Sequence, residues 1–447
     1  MTETMTLSNF SDMTTVENII IGAGPGGYEL AASLAAIGES VVVVERDEPG
    51  GTCLNRGCIP TKSLCASANA ALAAGTAGNL GVDVGPASVD FGRVMSRVKE
   101  VVIGLRTGVE GLLAKCTFVK GEAVFTSPKV VSVNGEEYTA PRIVIATGSR
   151  PASLPIPGAE YALSSDEALW LESLPASIAI IGGGVIGMEF ASIFSALGSK
   201  VTVIEYCKEI LPTVDSEIAK RLRTSLSRRG VEIVVGASVQ AIEKTEEGLC
   251  VKYLGKKGEM SVMVETAVMA VGRRPVIPAG FEGALTPKGF IDVDEYMRTS
   301  IDDVYAVGDV NGLLMLAHAA YAQGRVVLRS DSSLFNPRYV PSVVFTNPEV
   351  AAVGQKPEEL EAAGIKYHVV KRLYASNGKA CADGHPEGLV KMLVNDEDDS
   401  VLGVTILGSH AAELIAEATI LVVEKVPLKD VPFRFIHAHP TLSELFC

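Results

Sequence analysis

Residues 19–46 read IIIGAGPGGYELAASLAAIGESVVVVER. Three isoleucines make a short apolar strand, glycines 22, 24 and 27 a turn, residues 28–36 a helical pattern, and four valines at 41–44 a second strand ending in Glu45. The stretch is therefore a strand–helix–strand unit with a Gly-x-Gly-x-x-Gly turn at the mouth of its helix. There Gly22 permits the tight turn, Gly24 lets a pyrophosphate approach the backbone, and Gly27 lets the helix pack closely. The helix N-terminus adds unpaired N–H groups and the positive end of its dipole. Glu45 is then placed to take ribose hydroxyls.

Shifted by 160 residues, the same stretch lies on 179–206, AIIGGGVIGMEFASIFSALGSKVTVIEY, without a gap and with twelve identities in 28 positions. Ordinary composition gives several-fold fewer. The second copy carries Gly182, Gly184, Gly187 and Glu205, and in both copies 23 residues separate the first glycine from the acid. One such motif is weak; two in matching strand–turn–helix contexts imply two dinucleotide-binding units. Tyr206 and Cys207 follow Glu205, and the next arginine is Arg221. A carboxylate at this position repels a 2′-phosphate, so NAD rather than NADP is expected in the second unit.

Between the copies, residues 50–64 read GGTCLNRGCIPTKSL, with a helix-compatible stretch over 61–74. Cys53 and Cys58, five positions apart, can close into a small, reducible ring. Zinc is the competing reading, but Cys-x4-Cys lacks the usual spacing and no second Cys/His pair lies at finger or ribbon distance, so no metal is expected. The stretch resembles the redox-disulfide signature of the flavin-dependent disulfide oxidoreductases, and residues 55–62, NRGCIPTK, resemble its dihydrolipoamide dehydrogenase branch. The resemblance spans about residues 17–447, with the motifs in the family's order.

The resemblance implies FAD in the first unit and NAD in the second, with electrons passing between dithiol, disulfide, flavin and NAD⁺. Cys53 becomes the interchange thiol and Cys58 the one against the flavin, while Lys62 lies near the flavin and pairs with Glu189. Residues 143–149, IVIATGS, bring Thr147, Gly148 and Ser149; residues 268–275, VMAVGRRP, repeat that strand-into-glycine pattern at Gly272. In 304–309, VYAVGD, Asp309 takes the ribityl chain, although alone it would read as a turn residue. Met315, Leu316, Ala317 and His318 match the family's segment near the flavin pyrimidine. Thr52, Gly121 and Val239 are further cofactor-binding positions.

Thiol exchange needs thiolate, and an ordinary cysteine with a pKa of about 8.5 is only a few per cent ionised near neutrality. A base is required. Residues 437–444, HAHPTLSE, resemble the family's base motif, with His439 the base and Glu444 orienting it. His437 reads as a neighbour of that base; His318 reads as a backbone contact, and His368, His385 and His410 as surface residues. In the family the base serves the dithiol of the other subunit, which implies a homodimer with composite active sites. Three residues, ending in Cys447, follow Glu444 where the family usually continues.

The expected fold is therefore α/β: an FAD-binding domain (17–149), an NAD-binding domain (150–272), a central domain completing the FAD site (273–341) and an α+β interface domain (342–447). Between the glycine motifs a helical stretch is read at 89–115 and strands around 118–125, 130–133 and 142–146, with Asn134-Gly135 as a hairpin turn. Past residue 340 a hairpin (389–394 and 401–407) around the acidic run 395–399 precedes a helix at 411–423. With 447 residues, 47% of them apolar, the chain has material for several cores. Its net charge of −14, from 39 basic and 53 acidic residues, argues against nucleic-acid or anionic-membrane surfaces.

Eight scattered cysteines do not make a secreted disulfide framework. The first eighteen residues contain no Lys or Arg and no apolar run, which points away from a signal or transit peptide and towards the cytoplasm. The expected activity is oxidation of dihydrolipoamide on lipoyl domains of 2-oxoacid dehydrogenase complexes or on the H-protein of glycine cleavage. Two other functions stay open: an NAD(P)H-dependent reductase of another disulfide or of mercuric ion, and a non-catalytic flavoprotein subunit.

Overall fold

The computed structural model describes residues 13–85 and 88–447. They form two compact units, each built from non-consecutive stretches. One takes residues up to Ile59 with Val101–Arg150 and Arg273–Pro337; the other takes Pro60–Glu100, Pro151–Gly272 and Arg338–Cys447.

In the first unit a five-stranded parallel sheet runs Val304–Ala306, Arg142–Ile145, Asn18–Ile21, Val41–Glu45, Thr117–Lys120. Its three central strands are short β-branched runs because both faces are covered: Ile19, Ile20, Val43 and Val144 are fully buried. The helix Pro25–Ala36 joins the strands of the opening motif, with Pro25 at its first position, where a missing N–H costs nothing. A second sheet orders Thr14–Thr15, Glu136–Thr139, Val130–Val133 and Ala123–Ser127. Its predicted hairpin turn is present, Asn134 and Gly135 both having positive φ (53° and 89°). The strands read around 118–125 divide between the two sheets. Thr117–Lys120 joins the parallel one and Ala123–Ser127 the other, with Gly121 between them donating its N–H to the Glu45 carbonyl.

The second unit repeats the parallel theme in the order Leu163–Ser164, Thr266–Met269, Ser177–Ile181, Lys200–Glu205, Glu232–Val235, with helix Val185–Leu197 after its central strand. It also holds a three-stranded antiparallel sheet over Ser238–Thr245, Gly248–Gly255 and Gly258–Val264. Its last part is a five-stranded antiparallel sheet in the order Ser342–Val344, Glu349–Gly354, Val401–Gly408, Leu389–Asn395, Tyr367–Leu373. The helix Ala411–Val423 lays Leu414, Ile415, Leu421 and Val422 on that sheet against Val390, Met392 and Ile406. Each such buried side chain contributes about 1.5–3 kcal/mol. The expected α/β class, with two dinucleotide-type sheets and a C-terminal α+β region, is what the chain adopts. Among the described residues no helix is long and apolar enough to cross a membrane.

Candidate functional site

The two glycine turns are built alike. Gly22 has φ +106° and Gly182 φ +109°, and a Cβ at Gly27 or Gly187 would stand 1.8 or 1.9 Å from the carbonyl oxygen of Gly22 or Gly182. Only glycine lets the helix come that close. In front of the turns the space is open: a Cβ at Gly184 would meet nothing within 4 Å, and one at Gly24 only the Gly51 Cα at 3.8 Å. Both helices start without a side-chain cap and without an acid in the first turn, so their leading N–H groups remain for an anion.

The acids do more than the sequence indicated. Glu45 accepts the backbone N–H of Ala23 at 2.7 Å and of Asp47 at 2.8 Å. Glu205 likewise accepts those of Gly183 and Cys207, each at 2.5 Å. Each carboxylate thus ties its glycine turn to the residues after the second strand, and four lone-pair positions still leave room for ribose hydroxyls. The Cys207 thiol is pushed up, first by its hydrogen bond to Glu205 and then by burial.

The redox stretch folds as a short helix, Gly51–Arg56, broken at Gly57 and continued by the long helix Cys58–Thr76. Cys53 and Cys58 lie close to one another across that break. A Cβ at Gly57 would stand 3.3 Å from the Cys53 Cα and 2.9 Å from the Thr52 oxygen, which is why the residue immediately before Cys58 is glycine. Cys58 heads a 19-residue helix, whose dipole favours a thiolate there. The element is seated on the first glycine turn. Gly50 donates its N–H to Ala23 at 2.8 Å, and a Cβ at Gly51 would be 2.5 Å from the Gly24 Cα.

Asn55, 7% exposed, holds this arrangement. Its amide nitrogen donates to the carbonyls of Glu48, Pro49 and Gly51, and its oxygen accepts Nε and Nη2 of Arg106. Neither residue stood out as functional in the sequence; the signal was only that Asn55 sits inside the cysteine motif.

Ser149 and Asp309 meet in the first unit. Ser149 Oγ donates to Asp309 Oδ2 at 2.5 Å, and Arg273 Nε donates to Ser149 Oγ at 2.7 Å. Burial raises the Asp309 carboxyl, opposed by Ser149 and then Arg273. Thr147 Oγ1 donates to the Val276 carbonyl, and Gly148 takes φ +67°. Met315 and Leu316 lead into the helix Ala317–Arg329, which starts without a side-chain cap; His318, in its first turn, is exposed. Gln323 accepts from Gly308 N–H and Asn311, yet its own Nε2 is the one buried side-chain nitrogen or oxygen among the described residues without a partner. The open glycine cradle and the uncapped helix end both fit a bound dinucleotide.

In the second unit Lys62 Nζ contacts both oxygens of the buried Glu189 at 3.0 Å. Phe345 clamps the pair, its N–H donating to Glu189 Oε1 at 2.9 Å and its ring lying 4.2 Å from Lys62 Nζ. Phe345 carries no functional signal in the sequence. Cys65, one turn beyond Thr61, donates to the Phe345 carbonyl at 3.4 Å, and burial pushes its thiol up to about 12. Val239 is a buried member of the core around Ala179 and Ile181. Gly272, φ +104°, has open space where a Cβ would be.

His439 and Glu444 also lie in the second unit. His439 Nδ1 is 2.9 Å from Glu444 Oε1, and the other carboxylate oxygen accepts the Thr441 N–H in a capping box. The His439 hydrogen bond, followed by that from Thr441, lowers the Glu444 carboxyl below its ordinary value. The ionised acid fixes Nδ1 as the protonated nitrogen and leaves Nε2 as the basic one, on a side chain 80% exposed. His368, His385 and His410 are exposed, as expected. Among the described residues no group of three or more His, Cys, Asp and Glu is placed to hold a metal.

Residues 16–324 match the model of the pyridine nucleotide-disulphide oxidoreductases, and residues 340–446 match that family's dimerisation domain. The chain belongs to the pyridine nucleotide–disulfide oxidoreductase family. Similar proteins include dihydrolipoyl dehydrogenase of Thermus scotoductus, 40% identical over 97% of this chain and 96% of that one. The Chlamydia pneumoniae dihydrolipoyl dehydrogenase is 36% identical over 96% and 95%. Similar solved structures are LpdA of Mycobacterium tuberculosis (TM-score 0.87, 27% identity, 96% and 98% covered) and a Cu(II) complex of the HOCl-induced flavoprotein disulfide reductase RclA of Escherichia coli (TM-score 0.85, 30%, 97% and 98%). As a family member the chain is an oxidoreductase that works with FAD and NAD(H), and its dimerisation domain makes it a homodimer.

Proposed function

We propose that the protein is a dihydrolipoyl dehydrogenase, oxidising protein-bound dihydrolipoamide to lipoamide and reducing NAD⁺ to NADH. The observation that carries this reading is the Cys53–Cys58 element seated on the first glycine turn. A substrate thiolate attacks Cys53 sulfur, the Cys53–Cys58 bond breaks, and the second substrate thiol displaces Cys53 to release lipoamide and the reduced pair. His439 of the partner subunit takes the substrate's thiol proton at Nε2, and Glu444 stabilises the imidazolium that forms. The flavin, when bound, couples this two-electron exchange to hydride transfer.

The residues that would hold FAD are Gly22, Gly24, Gly27 and Glu45, Thr52 beside Cys53, and Lys62, Gly121, Thr147, Gly148, Ser149, Asp309 and the 315–318 segment. Gly182, Gly184, Gly187, Glu205, Val239 and Gly272 would hold NAD, with Glu189 positioning Lys62. Natural partners are lipoyl domains of 2-oxoacid dehydrogenase complexes or the H-protein of glycine cleavage, in the cytoplasm.

The test is NADH formation by the purified holoenzyme given dihydrolipoamide, with NAD⁺ and NADP⁺ in parallel. Rapid turnover with NAD⁺ alone is expected. Absence of turnover with FAD bound would refute the substrate and move the reading to another disulfide.

A further inference from the structure

The Cys447 thiol has a base and an orienting acid in hydrogen-bond reach. Cys447 Sγ lies 3.1 Å from His437 Nδ1, and His437 Nε2 lies 2.5 Å from Glu417 Oε1, on the helix Ala411–Val423. The imidazole is nearly buried, with 10% of its side chain exposed, whereas Cys447 is exposed on the single subunit. An ionised Glu417 only accepts hydrogen bonds, so Nε2 carries the proton and Nδ1 presents its lone pair to the thiol. This is the geometry of a nucleophile, its base and a third group that sets the tautomer. Arg372 Nε anchors the end of the segment by donating to the Cys447 main-chain oxygen at 3.0 Å.

We propose that Cys447, His437 and Glu417 form a reactive-thiol site, other than the Cys53–Cys58 pair, that takes small neutral or cationic disulfides and becomes a mixed disulfide. His437 Nδ1 accepts the thiol proton as Sγ attacks one sulfur of the disulfide RSSR. A Cys447–SR bond forms, the RS–SR bond breaks, and the departing RS⁻ leaves with the proton from His437. One thiol and one disulfide become one thiol and one disulfide, so the exchange needs no outside oxidant.

The surroundings set the class of partner. Burial, then Glu417 and Glu444, push the Cys447 thiol up, with Arg372 opposing. The proton therefore stays on sulfur at neutrality and must be removed during attack, which makes His437 necessary. The same two carboxylates disfavour anionic disulfides. The proposal does not depend on the identity of the enzyme's substrate.

Cys381 supplies an internal control, being exposed but with its thiol donating to the Ala375 carbonyl at 3.3 Å. The dimeric holoenzyme is incubated with cystamine at neutral pH, and the mixed disulfide at each cysteine is followed by peptide mass over time. Cys447 is expected to react at least about tenfold faster than Cys381, and His437→Gln to remove that advantage, as loss of a general base should. Glu417→Gln should give a smaller loss in the same direction. The Cys65 rate reports whether a variant is folded, since unfolding would expose that thiol and raise its rate. Equal rates at Cys447 and Cys381 in the wild type, or an unchanged Cys447 rate in folded His437→Gln, would overturn the proposal.

Discussion

Replacing Asn55 with alanine removes the contacts that hold the redox element on the glycine turn. The amide nitrogen reaches three carbonyls at 3.2, 3.0 and 3.0 Å, and the oxygen accepts Arg106 at 3.0 and 2.8 Å. Two amide hydrogens cannot fully serve three carbonyls, so the donor side counts as two bonds of about 0.5–1.5 kcal/mol each and the charged acceptor side as about 1.5–3 kcal/mol. The Arg106 side chain is 27% exposed and keeps Glu48 at 3.7 Å, so water and that carboxylate recover part of the second figure. The net loss is roughly 2–4 kcal/mol.

That loss falls on local opening of the redox segment rather than on unfolding of the whole chain. At about 1.4 kcal/mol per factor of ten, amides of residues 48–58 should exchange roughly 30- to 700-fold faster. Gly50, whose N–H is held by Ala23, is the most telling of them. Hydrogen exchange read by mass spectrometry on that peptide is the assay. Asn55→Asp keeps the acceptor for Arg106 while losing the donors, and should fall between the two. An unchanged exchange rate in Asn55→Ala would refute the assignment of Asn55 as the holding residue.

Cys58→Ser should abolish dithiol turnover while FAD stays bound, checked by flavin absorbance; release of FAD would make the cysteine structural. His439→Ala should slow dithiol oxidation severely and spare flavin reduction by NADH, so equal losses in the two half-reactions would sink its role as base. The Glu444 carboxyl is lowered, so its ionised contact with His439 is fully present above the ordinary carboxylate range and fails only as pH falls through the lowered value. Glu444→Gln should therefore reduce activity across the neutral range without a new acid limb in the pH–rate profile. Glu205→Ala leaves the N–H groups of Gly183 and Cys207 without their acceptor, at about 1–3 kcal/mol each if buried, and should raise KM for NAD⁺ at least about tenfold while narrowing the preference over NADP⁺.

The sequence alone determined the paired glycine turns, their acids, the cysteine motif and the α/β class. These are local: a turn needing positive φ, a buried parallel strand or a helix start is written within a few residues. The hairpin at Asn134-Gly135 and the helix Ala411–Val423 were readable for the same reason. The pairing of Lys62 with Glu189, 127 residues apart, came from family resemblance and not from the residues themselves.

Only the tertiary structure decided what polar residues do across long loops. It set Val304–Ala306 beside Arg142–Ile145, brought Arg273 to Ser149 and Arg106 to Asn55, and closed Phe345 over Lys62. It also gave His437 an acid on one side and Cys447 on the other. A side-chain hydrogen bond constrains no local backbone pattern, and many polar residues at many separations can satisfy a donor, so such pairs leave no periodic trace in the chain. They exist because packing of the apolar strands and helices fixes which polar groups are shut away from water together, and each must then find a partner there.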